Sequence, residues 1–257
     1  MDYRLDGKVA LVTGSDRGIG RGIAETFAAN GADILVTYFE NKAGAEETAA
    51  AVVAAGRRAE VAQVDVGNED EVARMFARLD DAFGRINILV NNAGVSIAGA
   101  LHEIPVADWE RVLRTNLYGA FFCARQAIPR MIAEGNGGRI INISSVHEEA
   151  CWSNAGAYCV SKAGLRNLTR TLAIELGEHG ITANDIAPGM IVTPMNRRAM
   201  EDANYLKNAA AQIVLRRAGA PADVAAMALF LASDAGSYCT GATYFVDGGW
   251  MLTWPPV

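Results

Sequence analysis

Four side chains stand at spacings that suit proton transfer. Tyr158 and Lys162 lie four residues apart in a stretch of helical periodicity, so both face the same way. A free phenol, with a pKa of about 10, exchanges protons poorly near neutral pH. An ammonium one helical turn away favours the phenolate and draws that pKa down. Ser145 lies thirteen residues before Tyr158 and carries a hydroxyl suited to holding a substrate oxygen beside the phenol. Asn116 falls midway along a predicted helix, where asparagine is unfavourable unless its amide has a task such as anchoring water. Tyr-x-x-x-Lys alone is common. With the serine and the asparagine in order, it points to acid/base work on a substrate oxygen.

A second cluster suits a nucleotide. Thr13-Gly14-Ser15-Asp16-Arg17-Gly18-Ile19-Gly20 follows the first strand-like run and opens a helix. Three glycines there let backbone N–H groups and the helix dipole approach a pyrophosphate. The spacing is G-x-x-x-G-x-G, which departs from the G-x-G-x-x-G of many dinucleotide sites. Asp65-Val66 closes the third strand-like run, where a carboxylate accepts an adenine amine or simply turns the chain. Asn91-Asn92-Ala93-Gly94 closes the fourth, with small residues suited to close approach of a ribose. At the end of the second run, where an acid would hold a ribose 2′-OH and repel a 2′-phosphate, stand Thr37-Tyr38-Phe39, with Glu40 and Lys42 beyond. Arg17 is placed to meet a phosphate. The balance favours NADP, with NAD or dual use open because of Glu40.

The elements that must position these residues alternate along the chain. Strands are expected at Val9–Thr13, Ile34–Tyr38, Glu60–Val64, Ile86–Val90, Arg139–Ile143, Ile181–Ile186 and Thr243–Val246. Amphipathic, Ala-rich helices are expected between them, several stopped by glycine. The helix from Ala107 to Glu134 is read as continuous, and 188–216 as less regular. Strand–helix alternation predicts an α/β fold, a doubly wound parallel sheet of about seven strands with helices on both faces, in one domain over 1–257.

Composition narrows the function classes. There are 23 basic and 29 acidic residues, a net charge of −6 with no basic run, which argues against nucleic acid as a partner. Apolar runs stay far short of a membrane span and no signal-peptide core opens the chain, so a cytoplasmic protein is expected. Cys123, Cys151, Cys159 and Cys239 form no Cys-x-x-Cys pair and have three histidines for company, so neither metal nor disulfide framework is expected.

Taken in order, TGSDRGIG, DV, NNAG, TN, ISS, YCVSK and APG with Thr193 resemble the short-chain dehydrogenase/reductase family over about residues 6–250. The resemblance implies a Rossmann-type fold and an enzyme moving hydride between NAD(P) and an alcohol or carbonyl carbon of a small-molecule substrate. It implies that Tyr158 is the acid/base, that Lys162 lowers its pKa and holds the nicotinamide ribose, that Ser145 orients substrate, and that Asn116 supports a relay water. Ile191 and Thr193, after Pro188-Gly189, would contact the nicotinamide amide, and a homotetramer is implied.

Ser144-Ser145-Val146-His147-Glu148 with Trp152, and Gly94 through Trp109, resemble bacterial glucose 1-dehydrogenases more closely, whereas 153–157 and the tail from Trp250 depart from them. An aldose or polyol is the expected substrate, with a 3-oxoacyl or other ketone as the alternative and a non-catalytic dinucleotide-binding regulator as a remote one. His147 and Glu148 would bond sugar hydroxyls or merely shape their loop, and Asn154 and Trp152 would frame a pyranose. Met190, Met195 and Met200 would form an adaptable wall or ordinary packing. Trp250 and Trp254 would sit at a subunit interface or cap the chain's own core.

Overall fold

The computed structural model describes residues 3–253. Seven strands, β1 (Val9–Val12), β2 (Asp33–Tyr38), β3 (Ala59–Gln63), β4 (Ile88–Asn91), β5 (Gly138–Ile143), β6 (Ile181–Pro188) and β7 (Thr243–Val246), form one sheet. Every pairing is parallel, in the order β3-β2-β1-β4-β5-β6-β7. Buried on both sides, the central strands read as near-continuous apolar runs, as parallel sheets require.

Alternate residues feed two cores. Val12, Val36, Val90, Ile141 and Ile186 pack on helices α1 (Gly18–Ala29), α2 (Lys42–Ala54) and, further along the chain, α9 (Pro221–Ala232). Leu11, Leu35, Leu89, Ile140 and Ala183 face α3 (Glu69–Phe83), α5 (Gly119–Glu134) and α6 (Gly156–Leu176), meeting Phe76, Leu79, Met131 and Leu172. Local signals fix the helix ends. Asn68 accepts from the Asp70 and Glu71 amides at 3.0 and 3.2 Å, three acids fill the first turn of α3, and Gly84 ends it at φ +73°.

Two expectations are corrected. The helix read as continuous to Glu134 is broken: α4 (Val106–Leu113) passes through a π-helical turn, Arg114–Tyr118, before α5 begins. The less regular stretch holds two helices, α7 (Arg197–Glu201) and α8 (Ala203–Gln212), capped by Asn196 and Asp202. Among the described residues no helix is long and apolar enough to cross a membrane.

Phe76 is wholly buried between α3 and the sheet. Phe76→Ala is expected to lower unfolding stability by about 3–5 kcal/mol through lost transfer and an unfilled cavity. Urea denaturation followed by circular dichroism measures it, and a loss below 1 kcal/mol would contradict the packing described.

Candidate active site

Because all strands run one way, the loops at their carboxyl ends converge on one edge, and a cleft of about 1470 Å³ opens there. That exceeds the roughly 300–1,000 Å³ of a single-ligand pocket. At one end the chain turns through Gly14 (φ +62°) and Gly18 (φ +58°) into α1. A Cβ on Gly20 would run into the Gly14 carbonyl and lie 2.5 Å from Asn92 Nδ2, so only glycine lets the helix sit against the loop. Asn92 Nδ2 donates to the Thr13 and Gly14 carbonyls at 2.8 and 3.0 Å, while Thr13 Oγ1 accepts from the Asn92 and Ala93 amides. The first turn of α1 has neither a side-chain cap nor an acid, which leaves its N–H groups disposed toward an anion. Gly14, Arg17, Gly18, Ile19, Tyr38, Asp65, Val66, Asn92, Ala93 and Gly94 all line this part of the cleft. The cradle fits a dinucleotide.

Ser15 does not line the cleft. Its hydroxyl donates to the Val12 carbonyl at 2.8 Å and accepts from the Thr37 amide, so the residue ties β1 to β2. Gly20 likewise acts through packing and is absent from the lining. Asp65 lines the cleft and is also a turn residue, accepting from the Gly67 amide at 2.8 Å. Arg17 is largely exposed at the rim, 3.6 Å from Asp16, and Glu40 lines the same corner; Lys42 turns away to Glu46.

At the other end β5 delivers Ser144 and Ser145, and the first two turns of α6 deliver Tyr158 and Lys162. A side-chain hydrogen bond joins Tyr158 to Ser145. Lys162 Nζ lies 5.6 Å from the Tyr158 ring centre and donates to the Ile143 carbonyl at 2.7 Å. Burial pushes the Tyr158 phenol above its usual pKa, with the Ser145 bond opposing. Burial also pulls Lys162 down to about 8. Asn116, in the π-helical turn, accepts from the Val95 amide at 2.8 Å and donates to the Val95 carbonyl and Ser161 Oγ at 2.9 and 3.0 Å. Its amide thus fastens the loop after β4 to α6. Pro188, Gly189, Ile191 and Thr193 complete the wall after β6, and a Cβ on Gly189 would press on Asp247 at 2.8 Å.

The expected substrate contacts divide. His147 stands in the cleft, edge-on to Trp152, Tyr158 and Trp250 at ring separations of 6.0, 6.1 and 6.4 Å. Its Nδ1 meets the Ala150 carbonyl at 2.7 Å, which requires a proton on Nδ1, and burial lowers its pKa, so Nε2 of the neutral ring is an acceptor. Glu148 points the other way, into the interior. Asn154 is corrected too: at φ +63° in the turn before α6 it is exposed and outside the cleft, its carbonyl accepting from Gly99. Met190 and Met195 line the cleft, and Met200 does not. Trp250 caps the small core of Met190, Ala199 and Ile213 and is at the same time a wall of the cleft beside His147; Trp254 lies outside the described residues. Sequence reasoning missed Tyr205, Asn208 and Gln212, which α8 brings to the cleft; the signal was the pair of N-caps, Asn196 and Asp202, ahead of that segment.

Comparison with known proteins agrees with this geometry. The family model described as enoyl-(acyl carrier protein) reductase matches residues 14–251. 3beta-Hydroxysteroid dehydrogenase 1 of Eggerthella lenta is 41% identical over 248 residues, covering 96% of this chain and 95% of that protein. Glucose 1-dehydrogenase 2 of Bacillus subtilis is 37% identical over 249 residues, covering 96% of each. The crystal structure of a gluconate 5-dehydrogenase from Burkholderia cenocepacia, in complex with NADP and tartrate, superposes with a TM-score of 0.91 at 35% identity over 98% of both chains. A dinucleotide cradle meeting a Ser-Tyr-Lys cluster at the carboxyl edge of a parallel sheet, with relatives of this identity along the whole length, places the chain in the short-chain dehydrogenase/reductase family of NAD(P)-dependent oxidoreductases.

Proposed function

We propose that the protein is an NADP-preferring dehydrogenase of aldoses or polyols. The observation that carries this reading is the mouth of the cleft. The Ser145–Tyr158 pair opens onto His147, which stands edge-on to two indoles, and Asn208 and Gln212 line the same cleft. Aromatic faces suit the C–H side of a sugar, and a neutral His147 with two amides suits its hydroxyls. Met190 and Met195 add an apolar wall that favours the second reading, a ketone or 3-oxoacyl reductase.

When bound, the nicotinamide supplies the hydride acceptor or donor. Ser145 holds the substrate oxygen; Tyr158 takes its proton during oxidation and returns it during reduction. Lys162 is the cation beneath that exchange and the contact for the nicotinamide ribose, while Asn116 keeps the loop after β4 seated on α6. Gly14, Gly18 and Ile19 would hold the pyrophosphate, Asp65 and Val66 the adenine, and Asn92, Ala93 and Gly94 the ribose, while Ile191 and Thr193, after Pro188-Gly189, would hold the carboxamide. Arg17 meets a 2′-phosphate, because β2 ends in Tyr38 and not in a carboxylate. One domain spans the chain, and assembly as a homotetramer in the cytoplasm belongs to the same reading.

Tyr158→Phe is expected to abolish turnover while reduced-cofactor fluorescence titration still reports binding; unchanged rates would remove the mechanism and favour a non-catalytic binder. With the phenol raised, oxidation in the intact protein should quicken as pH rises through the alkaline range. Arg17→Ala should raise the KM for NADP about tenfold and leave that for NAD nearly unchanged; equal effects on both would refute the phosphate role. Absorbance at 340 nm over aldoses, polyols and a β-keto ester decides the substrate class. Turnover of the keto ester alone would move the protein to the reductase reading.

A further inference from the structure

The sheet face under α6 carries a polar row that the steps above leave unused. Register sets Asn91 beside Asn142, Asn142 beside Asp185, and Asp185 beside Thr243, across β4 to β7. Paired residues of parallel strands share a face, here the one that otherwise buries Leu89, Ile140 and Ala183. Asn91 donates to Asn142 at 2.8 Å, Asn142 to Thr169 Oγ1 at 2.6 Å, and Thr169 to Asp185 Oδ1 at 2.6 Å. Thr243 Oγ1 donates to Glu148 Oε1 at 2.9 Å, and Arg166 Nε stands 3.4 Å from that same oxygen. Glu148 Oε2 and Asp185 Oδ2 are both buried without a hydrogen-bond partner among the described residues. Two interior carboxyl groups thus each keep one oxygen in hand.

Lys162 is only 4% exposed, and among the described residues its ammonium meets a single carbonyl and no carboxylate. A buried cation needs negative charge nearby, and the charges that favour its ammonium form are those of Asp185 and Glu148. We propose that Glu148 and Asp185 are positioning residues that hold one proton between their two carboxyl groups, keeping a single negative charge behind the Lys162 ammonium. This rests on the reading of Lys162 as the cation beneath Tyr158.

Glu148 carries the charge, because Ser144 and Thr243 both hydrogen-bond to it and Arg166, which also pairs with Glu149 at 2.6 Å, stands 3.4 Å away; Asp185 has its hydrogen bond with the Thr169 hydroxyl and keeps the proton. Burial raises Asp185 to about 8, the region to which burial lowers Lys162. As pH climbs, Asp185 ionises where Lys162 would otherwise let go of its proton, and the added charge retains it. The ionisable groups around this cluster are Tyr158 and Arg166 of α6, Glu148 and Glu149 of the loop after β5, and Asp185 of β6. Gly94, Asn116 and Thr243 approach from the other elements and carry no charge.

The test combines pH profiles with a readout that needs no turnover. Glu148→Gln and Asp185→Asn each leave one carboxyl to bear the charge. The double variant leaves none, so in the oxidation direction the pH at which kcat stops rising and begins its alkaline decline should fall by about one unit, roughly tenfold in rate on that limb and more than the two single effects added. A lesion in folding alone would depress kcat at every pH without moving the limb. Infrared spectra of the whole protein at neutral pH should show a protonated-carboxyl band that Asp185→Asn removes. A wild-type protein lacking that band, or a double variant with the wild-type limb, overturns the pair. Lys162→Gln distinguishes the levels: full activity there would overturn the reading beneath the pair, and the pair with it.

Discussion

An ammonium taken out of water costs several kilocalories per mole unless acceptors and negative charge surround it, and the carboxyl edge of this sheet takes one out. Lys162 reaches the edge because α6 packs along β6, which brings its side chain to the carbonyl of Ile143 at the end of β5. Other placements follow from that depth. The loop after β4 must pass close by without bulk, and a Cβ on Gly94 would stand 3.8 Å from the ammonium and 3.4 Å from Asn116 Oδ1. The phenol must sit one turn earlier on the same helix, where Ser145 reaches it.

Most of the fold was legible because a parallel sheet covered on both faces has few ways to be written. Runs such as Val9–Val12 and Ile88–Val90 have no polar side to suggest an exposed sheet, and glycine stops such as Gly84 mark where helices end. The break at 114–118 was not legible, since a π-helical turn leaves the apolar spacing nearly intact and its one sign was an asparagine in a helix. The stretch holding α7 and α8 was missed because its apolar pattern is weak and its helices depend on capping side chains.

The site divides on the same line. Tyr158, Lys162 and Ser145 were found by spacing because one helix turn and one strand end fix them rigidly. Ser15 and Asn154 were misjudged, and Glu148 was left between two readings, because in such connecting segments sequence gives a neighbourhood and not a direction. Ser15 and Glu148 turn inward to satisfy interior partners, and Asn154 is turned outward by a left-handed backbone. Trp250 read as an interface residue or a cap on the chain's own core; the turn after β7, fixed by Asp247 accepting from the Gly249 and Met251 amides, folds it onto the Met190, Ala199 and Ile213 core and also onto His147.

An α-helix advances about 100° per residue, and the π-helical turn at Arg114–Tyr118 spends about one residue without advancing its share. It acts as a phase shifter between two stretches of one rod. Upstream, α4 is free to present Val112 toward the interior; downstream, α5 is free to present Cys123, Ala124 and Ala127 to the sheet, and neither must inherit the other's angle. The surplus residue is taken up where Asn116 must stand, so the geometric slack of the longest helical run coincides with its chemically constrained point.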